Sequence, residues 1–84
     1  MSDFNIDQYR SELRETLINA NKANKLLSGR DLSVTRFIEI TMQKMDRVIE
    51  SGVLCSGDAS ALGLASKDVM KKTFVEINFD GVNE

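Results

Sequence analysis

The chain has 84 residues, enough for one small domain, and such domains bury a smaller fraction of their surface than larger ones do. Its 11 basic and 13 acidic residues give a net charge of −2, which argues against non-specific binding of duplex DNA. The absence of histidine excludes Ser–His–Asp and Cys–His catalytic sites and leaves no metal-ligand spacing. We therefore expect one domain, residues 1–84, that is not an enzyme and needs no metal or cofactor.

The location of the protein is predicted from what the sequence lacks. No apolar run approaches the roughly 20 residues that cross a bilayer, and the opening MSDFNIDQ does not have the pattern of a signal peptide. The single cysteine, Cys55, cannot form an internal disulfide, and no basic residue lies near it in the sequence to activate the thiol. We expect a cytoplasmic protein, in the host cytoplasm if a phage encodes it, that has a buried or inert thiol and no contact with membranes.

The first predicted helix covers residues 6–27. Its apolar residues recur at steps of three and four, as on one face of a helix: Ile6, Tyr9, Leu13, Leu17 and Ala20. Gly29 follows directly, and glycine adopts the left-handed conformation that ends many helices. The pattern therefore predicts an amphipathic helix with a defined C-terminal end.

The second predicted helix covers residues 33–51. At about 100° per residue, one broad apolar stripe collects Val34, Phe37, Ile38, Thr41, Met42, Met45, Val48 and Ile49. The connection SGRD is short, so the two helices should pack as an antiparallel hairpin. We expect the seam of this hairpin to include Leu13, Leu17, Phe37, Ile38, Met45 and Val48.

Residues 58–84 are predicted to contain a short helix followed by an extended tail. The helix should begin near Ser66 or Lys67, and TFVEINF alternates apolar and polar residues as a half-buried strand does. A lone strand must pair with another segment or another subunit, or lie along the hairpin. The fold class predicted is mainly α, an antiparallel helical hairpin with a short third helix and a strand-like tail, assembled as a homodimer or higher oligomer.

One stretch has the spacing of a helix-turn-helix motif. In ASALGLASKDV, residues Ala59, Gly63 and Val69 stand where such motifs place the close helix contact, the turn and the packing of the second helix. The match is partial, because Asp58 occupies a position where an apolar residue is expected. The alternative is a short packing helix, and on this acidic chain we do not expect DNA binding to be the function.

Polar residues cluster along one side of the first helix. A wheel places four of them within an arc of about 60° beside the apolar stripe that carries Tyr9, with Lys22 further round: Arg10, Arg14, Asn21 and Lys25. Basic groups bind phosphates, amides bind base edges, and a tyrosine ring can stack on a base. The cluster is therefore a candidate nucleotide site, and its alternative is a solvated basic edge with Tyr9 in the core.

Residues 9–50 resemble the anti-CBASS sponges of phages, small oligomeric helical hairpins that bind and withhold the cyclic oligonucleotide messengers of bacterial immunity. YRSEL supplies a Tyr-Arg pair, INANK supplies an Asn-x-x-Lys, and GRDLSVTRFIEITMQKMDRVI resembles the second helix. The resemblance implies that Tyr9 stacks on a base and that Lys22 contacts a phosphate. It also implies that Arg30 and Arg36 are further ligand contacts.

The sequence therefore leaves three competing hypotheses of function, each from a different class. The first is a non-enzymatic phage or mobile-element protein that sequesters a cyclic oligonucleotide, with six ligand-binding residues: Tyr9, Arg10, Lys22, Lys25, Arg30 and Arg36. The second is a protein-interaction module that regulates or inhibits a host protein, docking through Ile18, Ile40 and the strand-like tail. The third is a DNA-binding regulator built on the helix-turn-helix.

Overall fold

The computed structural model describes residues 4–55 and 57–82, which form three helices. Helix α1 is Ile6–Ser28, α2 is Val34–Glu50 and α3 is Asp58–Val82. The bounds of α1 and α2 agree with the predicted ranges 6–27 and 33–51 to within one residue. No strand occurs in the described part of the chain, and the mainly helical fold class is confirmed.

Local side-chain and backbone contacts explain where α1 and α2 begin and end. The Asn5 Oδ1 atom accepts hydrogen bonds from the backbone N–H groups of Asp7 and Gln8, at 3.0 and 3.1 Å. Gly29 ends α1 in the left-handed conformation, with φ of 75°, as the sequence predicts. Ser33 caps α2 by accepting a bond from the Arg36 N–H at 3.2 Å. These short-range bonds satisfy N–H and C=O groups that a helix leaves unpaired at its ends.

The three helices run up, down and up. A bond from Lys44 Nζ to Glu12 Oε1 at 3.0 Å joins the second half of α2 to the first half of α1, while a short loop joins the end of α1 to the start of α2, so these two helices are antiparallel. Tyr9 bonds to Ser66 and Arg14 pairs with Glu76, so α3 runs in the same direction as α1. The fold is thus a three-helix bundle in which α1 and α2 form the predicted antiparallel pair.

The core lies where α3 packs on the other two helices. Its fully or nearly buried apolar side chains are Tyr9, Leu13, Leu17, Leu32, Phe37, Ile40, Leu62, Ala65 and Val69. Helix α1 contacts α3 more extensively than it contacts α2. The core is therefore organised around α3, and the contact between α1 and α2 is the smaller one.

This arrangement corrects two predictions about the second helix. Ile38 was expected in the seam but is 40% exposed, because α1 and α3 together cover only part of the wide apolar stripe of α2. Ile40 was expected to be a docking residue but is buried in the core. The other predicted seam residues are buried or packed against the core: Leu13, Leu17, Phe37, Met45 and Val48.

The predicted short helix and strand-like tail are both wrong. Residues 58–82 form one continuous helix of 25 residues, which begins well before Ser66 and includes the segment TFVEINF. Val69, Thr73 and Ile77 lie four residues apart, so they share one helical face, and all three are buried or half-buried. Packing of this face on the core outweighs the strand preference of its Thr, Phe, Val and Ile residues.

The helix-turn-helix prediction is also wrong in its geometry. Ala59, Gly63 and Val69 all lie within α3, so no turn separates two helices at Gly63. A glycine inside a helix costs about 1 kcal/mol relative to alanine, which a long packed helix tolerates. Space is not the reason for this glycine, since a Cβ atom added there would meet nothing within 4 Å.

Candidate functional site

The structure separates the six predicted ligand-binding residues rather than bringing them to one pocket. Tyr9 lies in the core, Arg10 beside α3, Lys22 and Lys25 near the end of α1, Arg30 in the loop before α2, and Arg36 on α2. Arg36 approaches Glu39 of its own helix at 4.0 Å, with both side chains about half exposed. The fold therefore does not place these six residues around a single small ligand.

Tyr9 cannot serve as a stacking platform for a base. Its side chain is only 3% exposed, and its ring packs at 5.8 Å from the ring of Phe4. The hydroxyl shares a hydrogen bond with the buried hydroxyl of Ser66 on α3. Burial raises the pKa of the Tyr9 phenol, and the bond to Ser66 opposes that rise by a smaller amount. The prediction of an exposed, stacking Tyr9 is therefore wrong, and the alternative with Tyr9 in the core is confirmed.

A charged cleft lies between α1 and α3, and we call it the α1–α3 cleft. It has a volume of about 300 Å³ and is lined by Arg10, Ser11, Arg14, Val69, Lys72, Thr73 and Glu76. Arg10 pairs with Asp68, and Arg14 pairs with Glu76. Three basic side chains and the Glu76 carboxylate thus line one cleft, and Arg10 is the one lining residue that belongs to the predicted set.

Asp68 connects two of these basic groups. Its carboxylate contacts Lys72 Nζ at 3.1 Å and also the Arg10 guanidinium. Lys72 and then Arg10, through their hydrogen bonds, hold the pKa of the Asp68 carboxyl below its usual value. Arg14 and Lys72 were not among the six predicted residues, although the helix wheel already placed Arg14 beside Arg10.

The asparagines of the first helix hold the loop that follows it. Asn21 is 7% exposed, accepts a bond from the Leu32 N–H at 2.7 Å and donates to Asp31 Oδ1 at 3.1 Å. Asn24 donates to the backbone oxygen of Arg30 at 2.8 Å. Amide side chains can donate and accept at once, which suits them to bridging a helix and a loop backbone. Two of the three asparagines therefore have a structural role in the α1–α2 connection.

Lys22 and Lys25 border this connection. They line a shallow depression of about 250 Å³ with Ile18, Asn21, Asp31, Glu76 and Ile77. Lys25 Nζ lies 3.4 Å from Asp31 Oδ1, in an exposed ion pair that contributes little to stability. Because Asp31 and Glu76 also face this depression, it presents no concentrated positive charge to an anion.

An apolar surface extends along α2 beside α3, and we call it the α2–α3 face. Four large side chains of α2 are between 40% and 54% exposed there: Val34, Ile38, Met42 and Ile49. Two adjoining cavities of about 240 and 160 Å³ continue the surface between the helices, with Phe37, Met45, Met70 and Phe74 among their lining residues. Lys67 and Lys71 line the α3 side of these cavities.

The sequence contained the signal for the α2–α3 face, in the form of an apolar stripe too broad for one neighbouring helix. Periodicity did not indicate which part of that stripe would be covered, because the path of α3 decides it. The part that α3 leaves open runs nearly the length of α2.

The described part of the chain offers few groups that could hold a metal ion or act as a nucleophile. Among residues 4–55 and 57–82, no group of three or more Cys, Asp or Glu side chains is placed to hold a metal ion. Cys55 is exposed, and its backbone N–H donates to Asp58 Oδ2 at 2.7 Å at the start of α3. No helix in the described part has both the length and the apolar character that a membrane crossing needs.

Comparison of the chain with known proteins yields no match to a family model, to a curated protein or to a solved structure. The resemblance to the anti-CBASS sponges therefore depends on the residues quoted for it. Of those residues, Tyr9 occupies the core and Arg30 lies in the α1–α2 loop. Two surfaces, the α1–α3 cleft and the α2–α3 face, remain as candidate sites.

Proposed function

We propose that this protein is a non-enzymatic protein-interaction module that binds another protein chain through the α2–α3 face. The observation that carries the proposal is the exposure of Val34, Ile38, Met42 and Ile49 in one continuous strip. Contiguous apolar patches of this kind on small proteins often mark interaction sites, because water contact with them is unfavourable. The proposal keeps the predicted docking function but assigns it to another surface. The sequence predicted Ile18, Ile40 and the tail, whereas the α2–α3 face is used here.

The shape of the face suits a helix. An amphipathic partner helix places anchor residues at steps of three and four into a groove between two helices. The cavities beside Phe37 and Met70 provide such a groove, and their walls are mainly apolar, with Lys67 and Lys71 on the α3 side. Burial of the strip contributes roughly 25 cal/mol for each Å² of apolar surface removed from water, before the cost of association is subtracted.

Site-specific photocrosslinking tests this proposal. A photoreactive amino acid in place of Met42 is expected to form covalent adducts with a protein chain in the cells that express the protein, and mass spectrometry identifies the chain. Gln43 is the matched control, since it is exposed and adjacent in sequence but points about 100° away from Met42, outside the apolar strip. Adducts that are absent from position 42, or equally abundant from position 43, contradict the proposal.

A cyclic oligonucleotide remains a second candidate ligand because the α1–α3 cleft gathers Arg10, Arg14 and Lys72. Guanidinium groups suit phosphates, but here the ligand must replace Asp68 and Glu76 as their partners. Without an accessible Tyr9, affinity in this cleft would come from phosphate contacts, and added salt would weaken it. Calorimetry with a panel of cyclic di- and trinucleotides tests it, and the absence of both heat and thermal stabilisation removes this candidate.

A further inference from the structure

We infer that the partner on the α2–α3 face is a second copy of this chain, in a two-fold symmetric dimer whose α2 helices lie side by side and parallel. This inference depends on the proposed function, since it names the partner of the same face. Three features support it: the spacing of the exposed side chains, the charges along the two edges of the face, and the height of those charges along the bundle.

The exposed strip has the spacing of a helix-to-helix seam. Ile38, Met42, Met45 and Ile49 follow one another at steps of four, three and four residues, the repeat that lets two helices pack side by side along their length. The core side of α2 uses other residues, led by Phe37 and Thr41, both of which are buried. Helix α2 therefore has one packing surface for its own subunit and a second, regularly spaced one that its own subunit covers only in part, at the half-buried Met45.

The two edges of the face carry opposite charges. Lys67 and Lys71 lie along the α3 edge, and neither forms an ion pair within the described residues. Glu39 and Asp46 follow Ile38 and Met45 directly in sequence, which places them along the other edge of the strip. The face is therefore complementary to itself: the helix that best fits beside Lys67 and Lys71 has an apolar strip and one acidic edge, and α2 is such a helix.

The direction of the second copy follows from these charges. With a two-fold axis parallel to the bundle, each residue of the second copy sits at the same height as in the first. Lys71 shares a cavity with Val34 and Phe37, and Lys67 shares one with Ile38 and Met42. Along the bundle, Glu39 of the second copy then lies at a height between Lys67 and Lys71 of the first copy. An axis perpendicular to the helices instead brings the acidic edges of the two subunits together, which like-charge repulsion disfavours.

Sedimentation velocity on the full chain across a micromolar concentration series tests the inference. The wild type is expected to form dimers, and Met42→Glu to weaken dimerisation at least about tenfold, because it buries a carboxylate in an apolar interface. Gln43→Glu adds the same carboxylate at the adjacent residue, outside the strip, and should leave the dimer intact. Far-UV circular dichroism shows that each variant is folded. A monomeric wild type, or a dimer equally stable with Met42→Glu, overturns the inference.

Charge exchange tests the direction of packing with variants at exposed positions. Glu39→Lys alone, and Lys67→Glu with Lys71→Glu, should each weaken the dimer about three- to tenfold, since attraction becomes repulsion. Combining all three substitutions should restore it, and failure of this rescue overturns the parallel arrangement. If the wild type is monomeric while position 42 still crosslinks a different protein, the second copy is wrong and the interaction function stands. If neither occurs, both are wrong.

Discussion

The hydroxyl groups of Tyr9 on α1 and Ser66 on α3 form a hydrogen bond inside the core, and each has the other as its partner there. Only 3% of Tyr9 and 1% of Ser66 are exposed to solvent. A buried hydroxyl without a partner is costly, so the pair ties the position of α1 to that of α3. The consequence is a set of measurable effects on stability.

Replacing either hydroxyl should destabilise the fold. Tyr9→Phe and Ser66→Ala are each expected to lower the free energy of unfolding by about 1 to 3 kcal/mol, because each leaves a buried group unpaired or removes the bond. Urea denaturation of the single variants and of the double variant measures this, and the double loss should be smaller than the sum. Ser11→Ala, at an exposed position of α1, is the control. Strict additivity of the two losses would show that the hydroxyl groups do not interact.

Tyr9 should also make the folded protein less stable at alkaline pH. Burial raises the pKa of Tyr9 above its ordinary value of 10.0. Above about pH 10 the unfolded chain therefore releases this proton while the folded protein still holds it. The free energy of unfolding falls as pH rises from there, and at lower pH this group does not affect it. Tyr9→Phe should remove this contribution to the alkaline loss.

The titration itself can be observed directly. The chain has one tyrosine, so tyrosinate absorbance reports Tyr9 alone. A native absorbance midpoint at or below 10.0 would contradict the buried position of the ring. Urea-unfolded protein provides the reference titration.

The loop between α1 and α2 depends on Asn21. Asn21→Ala removes the acceptor of the buried Leu32 N–H and should cost about 1 to 3 kcal/mol in unfolding free energy. Asn19→Ala is a close control, because it makes the same change in helix propensity at an exposed position of the same helix. Amide hydrogen exchange should become faster at Leu32 in the first variant alone. Equal stability of the two variants would exclude a structural role for Asn21.

Core substitutions should show a graded effect across α2. Phe37 is 2% exposed, and its ring meets that of Phe74 edge-on at a centroid distance of 5.3 Å. Phe37→Ala should therefore cost about 3 to 5 kcal/mol, a large share of the stability of so small a domain. Met45→Ala should cost less, because Met45 is only half-buried. Thermal unfolding in dilute solution measures both, and near-wild-type midpoints for both variants would contradict the assignment of the core.

The sequence predicted α1 and α2 well because their ends are determined locally. Asn5, Gly29 and Ser33 act within three or four residues of themselves, so their effect is visible in a short window. The alternation in TFVEINF is also local, but it led to the wrong prediction of a strand. Val69, Thr73 and Ile77 fit one face of a helix as well as a strand pattern. Contact with α1 and α2 decides between those two structures.

The candidate sites were less predictable for a similar reason. The helix wheel placed Tyr9 on the apolar stripe beside a polar cluster, which left both a core position and an exposed one open, and the position of α3 determines that it is buried. The role of Asn21 depends on the path of the loop at Leu32, which spacing along α1 does not encode. The open part of the α2 stripe is likewise defined by what α3 does not cover.

The central position of α3 has a consequence for how the chain folds. Its hydrogen bonds to α1 join residues 57 and 62 positions apart, from Tyr9 to Ser66 and from Arg14 to Glu76. Contacts so distant in sequence close a longer loop than the contacts between α1 and α2 do, so we expect them to form later. During synthesis, α1 and α2 leave the ribosome with Leu13, Leu17 and Phe37 still uncovered. The nascent chain therefore passes through a period in which it is prone to aggregate, and that period ends only when α3 has emerged.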